Sequence, residues 1–99
     1  MAEVIWTEQA LDDLDSILSF IARDSSHYSA LTALRIIGAT DMLSAFPESG
    51  RIVPETGRED LREIIVQNFR VIYRVGEERI EVLTVHHGAR SCEGIEPPI

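Results

Sequence analysis

The 99-residue sequence predicts an α+β domain in which a helical hairpin covers one face of a small, mostly antiparallel sheet. In the first half, apolar residues recur every three or four positions, which is typical of helices. From Leu61 onward they recur every second position, which is typical of strands. Two Pro-to-Gly stretches in "FPESGRIVPETG" separate these patterns. A chain of this length buries one modest core, so residues 1–99 are expected to form a single domain with an irregular tail at 91–99.

The first half is predicted to be a short strand followed by two helices. Residues 3–6 are β-rich, and Thr7 stands where an N-cap precedes a helix with acidic opening turns. This helix carries one apolar stripe that is predicted to be core: Leu11, Leu14, Leu18 and Ile21, joined by Ala10 and Ile17. A second helix is predicted from about residue 28 to 45. Its apolar rows are so wide that it should contact both the first helix and the sheet.

The second half is predicted to be a three-stranded antiparallel meander. The runs "LREIIV", "FRVIYRV" and "RIEVLTVHH" are rich in β-branched and aromatic residues and are separated by turn-sized gaps at 67–68 and 76–78. In the middle run, alternation sends Phe69, Val71, Tyr73 and Val75 to the core face and Arg70, Ile72 and Arg74 to the other face. We expect the N-terminal strand to join this sheet at an edge.

Composition limits the classes of function. The net charge of −8 disfavours direct binding to nucleic acid, because neutralising phosphates requires a cationic surface. No apolar run reaches the roughly 18 residues that a membrane span needs, so no membrane contact and a cytoplasmic location are expected. All nine basic residues are arginine, and seven of them follow residue 50. A local arginine cluster in the second half could therefore hold a partner.

The adjacent histidines His86 and His87 raise the question of a metal or catalytic site. They end a predicted strand, and alternation points adjacent side chains to opposite faces, so the two cannot both bind one metal ion. The single cysteine, Cys92, has no second cysteine with which to form a disulfide or a zinc site. We therefore expect neither a metal nor any other cofactor.

Three motifs carry a resemblance to a known family. They are the helix end "FPESGR", the terminal "HGAR", and a pattern realised as Leu61, Arg62, Glu63, Asn68, Phe69, Arg70 and Tyr73. With the strand and helical hairpin before them, they span residues 3–90. The chain resembles the ParE branch of the RelE/ParE superfamily, the toxins of type II toxin–antitoxin pairs.

The resemblance implies a toxin that inhibits DNA gyrase, and it also implies a cognate antitoxin whose C-terminal segment wraps the toxin. We expect that segment to bind the apolar row of the second helix formed by Leu31, Leu34 and Ile37. For the target, the non-core face of the sheet suggests a recognition patch formed by Arg62, Arg70, Arg74, His87 and Arg90. A solvated sheet face predicts the same alternation.

Two other functions stay open. A RelE-like, ribosome-dependent mRNA endonuclease needs a basic face and acid/base groups near its C-terminus. Here the tail "SCEGIEPPI" contains no Tyr, His, Lys or Arg, so the nuclease constellation is incomplete and no catalytic residue is assigned. The third reading is a non-toxic homologue that binds the antitoxin only. Growth arrest on induction separates it from both toxins.

Overall fold

The computed structural model describes residues 2–88 and confirms the predicted order of strands and helices. The elements are β1 (Glu3–Trp6), α1 (Glu8–Ala22), α2 (Ser26–Asp41), β2 (Arg51–Ile52), β3 (Leu61–Val66), β4 (Phe69–Val75) and β5 (Arg79–His87), with a 3-10 turn at Met42–Ser44. One short strand, β2, lies within the stretch that was expected to be a loop. The predictions for the tail at 91–99 and for Cys92 concern residues outside the described part.

The strands form one sheet in the order β1-β5-β4-β3-β2. β3, β4 and β5 form the expected antiparallel meander, and β2 extends it by pairing antiparallel with β3. β1 lies at the opposite edge and runs parallel to β5. α1 and α2 connect β1 at one edge to β2 at the other, and their contacts with β5 and β3 place the helical hairpin on one face of the sheet.

α1 is fixed at its start by Thr7. The Thr7 hydroxyl accepts a hydrogen bond from the Ala10 amide at 3.1 Å and donates to the Val82 carbonyl at 3.0 Å, so the same side chain caps the helix and ties it to β5. Ala10 and Leu14 are buried on the sheet. Leu11 was predicted to be core but is 53% exposed, because the contact with the sheet follows Ala10 and Leu14 and leaves this side of the stripe in solvent.

α2 begins at the N-cap Ser25, whose hydroxyl accepts from the Tyr28 amide. It contacts both α1 and β3, as expected. Its buried face is formed mainly by small or polar residues and one large apolar residue: Ser29, Thr32, Ile36 and Thr40. The wide apolar surface of α2 is therefore only partly buried within the domain, and Leu34 is 70% exposed. Within residues 2–88, neither helix has the length and apolar content required to cross a bilayer.

The face of the sheet that was predicted to be non-core is also covered. Val53 follows β2 and packs with Leu61, Ile72 and Leu83 in a second apolar cluster, and Ile72 is 1% exposed. The segment 53–60 turns back at Gly57, which has φ +64°. Strand alternation distinguished the two faces of β4, but it could not show that a Pro/Gly-rich loop would lie across the second one.

Candidate functional site

The "FPESGR" stretch is held to the sheet by the hydroxyl group of Tyr73. This hydroxyl donates to the Pro47 carbonyl at 2.8 Å and accepts from the Gly50 amide at 3.0 Å. Tyr73 is fully buried, and burial raises the pKa of its phenol. A Cβ on Gly50 would lie 2.6 Å from both the Glu63 carbonyl oxygen and this hydroxyl, so only glycine fits there. The motif is therefore a structural attachment between the helix end and β4.

A buried ion-pair network occupies the second face of the sheet. The fully buried carboxylate of Glu63 accepts from the Arg70 guanidinium at 2.6 and 2.8 Å and from Arg51 at 3.2 Å. Arg70 also donates to Glu55 at 3.0 and 3.1 Å, which ties the segment 53–60 to β4. The sequence prediction did not assign these carboxylates a role, although Glu63 lies within the motif that carries the resemblance.

The register of β3 and β4 separates the arginines of the predicted target patch. Residues opposite each other in adjacent strands share a face. Arg62 lies opposite Tyr73, on the helix-covered face, whereas Arg74 lies opposite Leu61, on the other face. The expectation that Arg62, Arg70 and Arg74 form one surface is therefore wrong for Arg62. Its guanidinium instead donates to the carbonyls of Gly50 and Glu59.

The other described residues of the predicted patch either form ion pairs with carboxylates or lie on the opposite face of the sheet. Arg70 is 7% exposed and bound between two carboxylates, and Arg74 is ion-paired with Glu81. His87 lies opposite Phe69 on the helix-covered face and contacts its ring edge-on, with ring centroids 6.0 Å apart. Arg90 lies outside the described residues. A role of these side chains in target binding stays a prediction.

The two histidines follow the alternation of β5. His86 lies opposite Arg70 and His87 opposite Phe69, so the register assigns them to different faces. Among residues 2–88, no group of three or more His, Cys, Asp or Glu side chains could hold a metal ion. The expected absence of a metal stays a prediction, and strand geometry is its physical basis.

The surface presents two apolar features on the helix side. Leu34 is 70% and Ile37 43% exposed on α2, and Leu31, one turn earlier, is half-buried. Separately, a groove of about 510 Å³ opens at one end of the sheet. Its apolar walls are formed by Ile17, Phe20, Ile21, Tyr28, Phe69 and Val85. No sequence pattern indicated this groove, because its walls come from both helices, β4 and β5.

Comparison with known proteins agrees with this architecture. Residues 4–92 match the family described as the ParE toxin of the type II toxin–antitoxin system parDE. The chain is 34% identical over 90 residues to Toxin RelE2 of Caulobacter vibrioides, a match that covers 91% of this chain and 99% of that protein. Its fold is similar to a chain of the chromosomal ParDE system of P. aeruginosa, with a TM-score of 0.72, 20% identity, and coverage of 88% and 96% of the two chains. Since the family match spans residues 4–92 of the 99-residue chain and the fold agrees, the chain belongs to the ParE toxin family of type II toxin–antitoxin systems.

Proposed function

We propose that this ParE-family toxin inhibits DNA gyrase and is neutralised by a cognate antitoxin. The observation that carries the proposal is the position of Tyr73. Its phenol is buried, hydrogen-bonded to Pro47 and Gly50, and shifted by burial toward the neutral form. It therefore supplies no exposed acid for cleaving RNA. The net charge of −8 also suits a protein target better than an RNA-filled site.

One observation favours the second candidate, a ribosome-dependent mRNA endonuclease. The relative that is 34% identical over 90 residues carries the name Toxin RelE2. Resemblance to the RelE branch of the superfamily implies cleavage of messages on ribosomes. His87 at the end of β5 and Tyr28 on α2 both line the groove and would be the groups to examine for this activity. They come from separate elements of the helix-covered side.

Induction of the toxin in bacterial cells separates these functions. Gyrase inhibition predicts growth arrest with broken DNA and an SOS response, and loss of supercoiling by purified gyrase when the purified toxin is added. Cleaved ribosome-bound messages with normal supercoiling would replace the gyrase proposal by the endonuclease. Unimpaired growth at high toxin level would support the non-toxic homologue.

We propose that the antitoxin neutralises the toxin by binding the apolar row of α2. An antitoxin segment that covers Leu31, Leu34 and Ile37 would bury apolar surface that the toxin leaves in solvent. Leu34→Glu should weaken the complex by about 1–2 kcal/mol in calorimetric titration, as expected for an interface anchor. Leu11→Glu, at a similarly exposed leucine on α1, is the matched control and should bind normally. Equal affinity of both variants would place the antitoxin elsewhere.

For the target surface, Arg74 and Arg90 are the residues to substitute. Arg74→Ala or Arg90→Ala should relieve growth arrest while antitoxin binding is retained. Arg74 is partly exposed and ion-paired with Glu81, so Arg74→Ala should change stability by about 1 kcal/mol or less. Arg79→Ala, at an exposed arginine at the start of β5, is the control and should remain toxic. Full toxicity of both Arg74→Ala and Arg90→Ala would remove them from the target surface.

A further inference from the structure

One face of α2 points directly away from the rest of the domain. An α-helix turns by about 100° per residue, so Gly38 lies on the side opposite the buried Ile36 and Thr40. Residues at spacings of three and four share this side with Gly38. All of them are exposed except the half-buried Leu31. This surface, called the Gly38 face, is formed by Leu31, Leu34, Arg35, Gly38, Asp41, Met42 and Ala45.

Helical geometry continues through the end of the Gly38 face. Met42 follows the last residue of α2, and its amide donates to the Gly38 carbonyl. The Ala45 amide in turn donates to the Met42 carbonyl at 3.2 Å. Met42 and Ala45 therefore extend the same surface by one more turn.

The centre of the Gly38 face is apolar and accessible to another helix. Leu34 is 70% exposed and Met42 is 63% exposed, one turn before and one turn after Gly38. Within residues 2–88, no atom lies within 4 Å of a Cβ placed on Gly38. A second backbone can therefore approach closely at the glycine, with a large apolar side chain on each side of the contact.

The charged residues of this face balance each other. Arg35 precedes Gly38 by three residues and Asp41 follows it by three. Neither side chain takes part in an ion pair within the described residues 2–88. α2 contains one arginine and one acid, whereas α1 contains four acids and no basic residue. The net charge of −8 is therefore not concentrated on α2.

A two-fold axis through Gly38 makes this face complementary to itself. In an antiparallel pair of identical helices, each residue before the axis lies opposite the residue at the same distance after it. Leu34 would lie opposite Met42, Arg35 opposite Asp41, and the large Leu31 opposite the small Ala45. A parallel pair would instead place Arg35 against Arg35 and Asp41 against Asp41. Charge complementarity therefore selects the antiparallel orientation.

We propose that the Gly38 face binds the same face of a second copy of this chain, forming an antiparallel dimer with two-fold symmetry. The face has seven residues, fewer than the roughly 20–30 per partner of a standard interface, so the dissociation constant should be on the order of 10–100 µM. Leu34 also belongs to the row proposed to bind the antitoxin, so the dimer and the antitoxin complex would exclude each other.

Sedimentation equilibrium of the purified full-length toxin, without antitoxin, measures this association. Between about 1 and about 500 µM the average mass should rise from that of a monomer toward that of a dimer. A monomer throughout this range would overturn the inference. The measurement uses neither the antitoxin nor the target, so its outcome is independent of the proposed function.

A charge exchange tests the antiparallel pairing. Arg35→Asp and Asp41→Arg should each weaken self-association by about tenfold, because each variant brings like charges together twice. An equimolar mixture should form a heterodimer with about the affinity of the unsubstituted toxin, because one variant carries acids at both positions and the other arginines. A mixture that associates no better than the separate variants would contradict the pairing.

The matched controls for the charge exchange lie outside the Gly38 face. Arg79→Asp and Asp12→Arg make the same changes in net charge at exposed positions on β5 and α1. Each should associate as the unsubstituted toxin does. Equal weakening by these controls would show that net charge, and not the pairing of Arg35 with Asp41, sets the affinity, which would also reject the proposed interface.

Gly38→Gln tests the close approach at the two-fold axis. Its side chain has open space in the monomer but would separate the two helices in the dimer, so self-association should weaken by more than about tenfold. Leu11→Glu, at an exposed leucine on α1, is the control and should associate normally. Circular dichroism of the dilute variants verifies that the fold is retained. A Gly38→Gln variant that dimerises like the unsubstituted toxin would place the interface elsewhere and overturn the inference.

Discussion

At the residue scale, Glu63 is the central carboxylate of the ion-pair network on the second face of the sheet. Its fully buried carboxylate faces the guanidinium groups of Arg70 and Arg51. Glu63→Ala leaves the buried Arg70 charge with less compensation, so the free energy of unfolding should fall by about 3–5 kcal/mol. Urea denaturation followed by circular dichroism measures this change.

The matched control for Glu63 is a half-exposed carboxylate in the neighbouring loop. Asp60 pairs with Arg58 at 2.7 Å, and hydrogen bonding to Arg58 lowers the pKa of the Asp60 carboxyl. Because this pair is solvated, Asp60→Asn should cost about 1 kcal/mol or less. Similar losses of unfolding free energy in the two variants would show that the buried Glu63 network stabilises the protein no more than a solvated ion pair does.

Tyr73 predicts a loss of stability at alkaline pH. Burial raises the pKa of its phenol above the usual 10.0. Below pH 10 both the folded and unfolded states hold the neutral phenol, so the contribution is fully present. As the pH rises toward the folded-state pKa, the unfolded state ionises first and stability declines. The absence of lysine from the chain leaves few other groups titrating in this window.

The Tyr28→Phe variant leaves Tyr73 as the single tyrosine, so absorbance at the tyrosinate band reports on it alone. The folded protein should ionise at higher pH than the same variant in urea. The Tyr73→Phe variant should lose the part of the alkaline destabilisation that comes from this phenol. Coincident titration of the folded and unfolded Tyr28→Phe variant would contradict the predicted shift.

At the element scale, the connection from α2 to β2 depends on a close approach of the backbone at Gly50. Gly50→Ala should destabilise the protein by about 1–3 kcal/mol, because its Cβ would overlap the Glu63 carbonyl and the Tyr73 hydroxyl. The helix α2 supplies a control with the opposite sign. Gly38 has nothing within 4 Å of a Cβ, so Gly38→Ala should stabilise by about 0.5–1 kcal/mol. Thermal unfolding of both variants measures the contrast, and equal effects would contradict it.

At the scale of the whole molecule, the net negative charge determines which macromolecules the protein attracts electrostatically. The net charge is −8, and in the described part the arginines of the second half include several already paired with carboxylates: Arg51, Arg58, Arg70 and Arg74. We therefore expect no binding of free duplex DNA or RNA at about 0.1 M salt, measured by fluorescence anisotropy with labelled oligonucleotides. Micromolar binding that weakens steeply with added salt would contradict this expectation.

The sequence by itself determined the order of the elements and all of them except the short strand β2. The bounds of β1, β3, β4 and β5 follow from period-two runs and turn residues, and the start of α1 follows from the Thr7 cap. Local patterns suffice for these features because hydrogen bonding, side-chain periodicity and capping act within a few residues. The family resemblance was likewise carried by short motifs, and residues 4–92 match the ParE family.

Only the tertiary structure decided which of the motif residues are available for binding. The register between β3 and β4 places Arg62 on the helix-covered face. The loop at 53–60 covers Ile72 and Arg70 on the other face. The part of β3 that is paired with β2 likewise depends on where β2 ends. These features arise from pairings between segments distant in sequence, and alternation within one strand carries no information on which segment will lie against it.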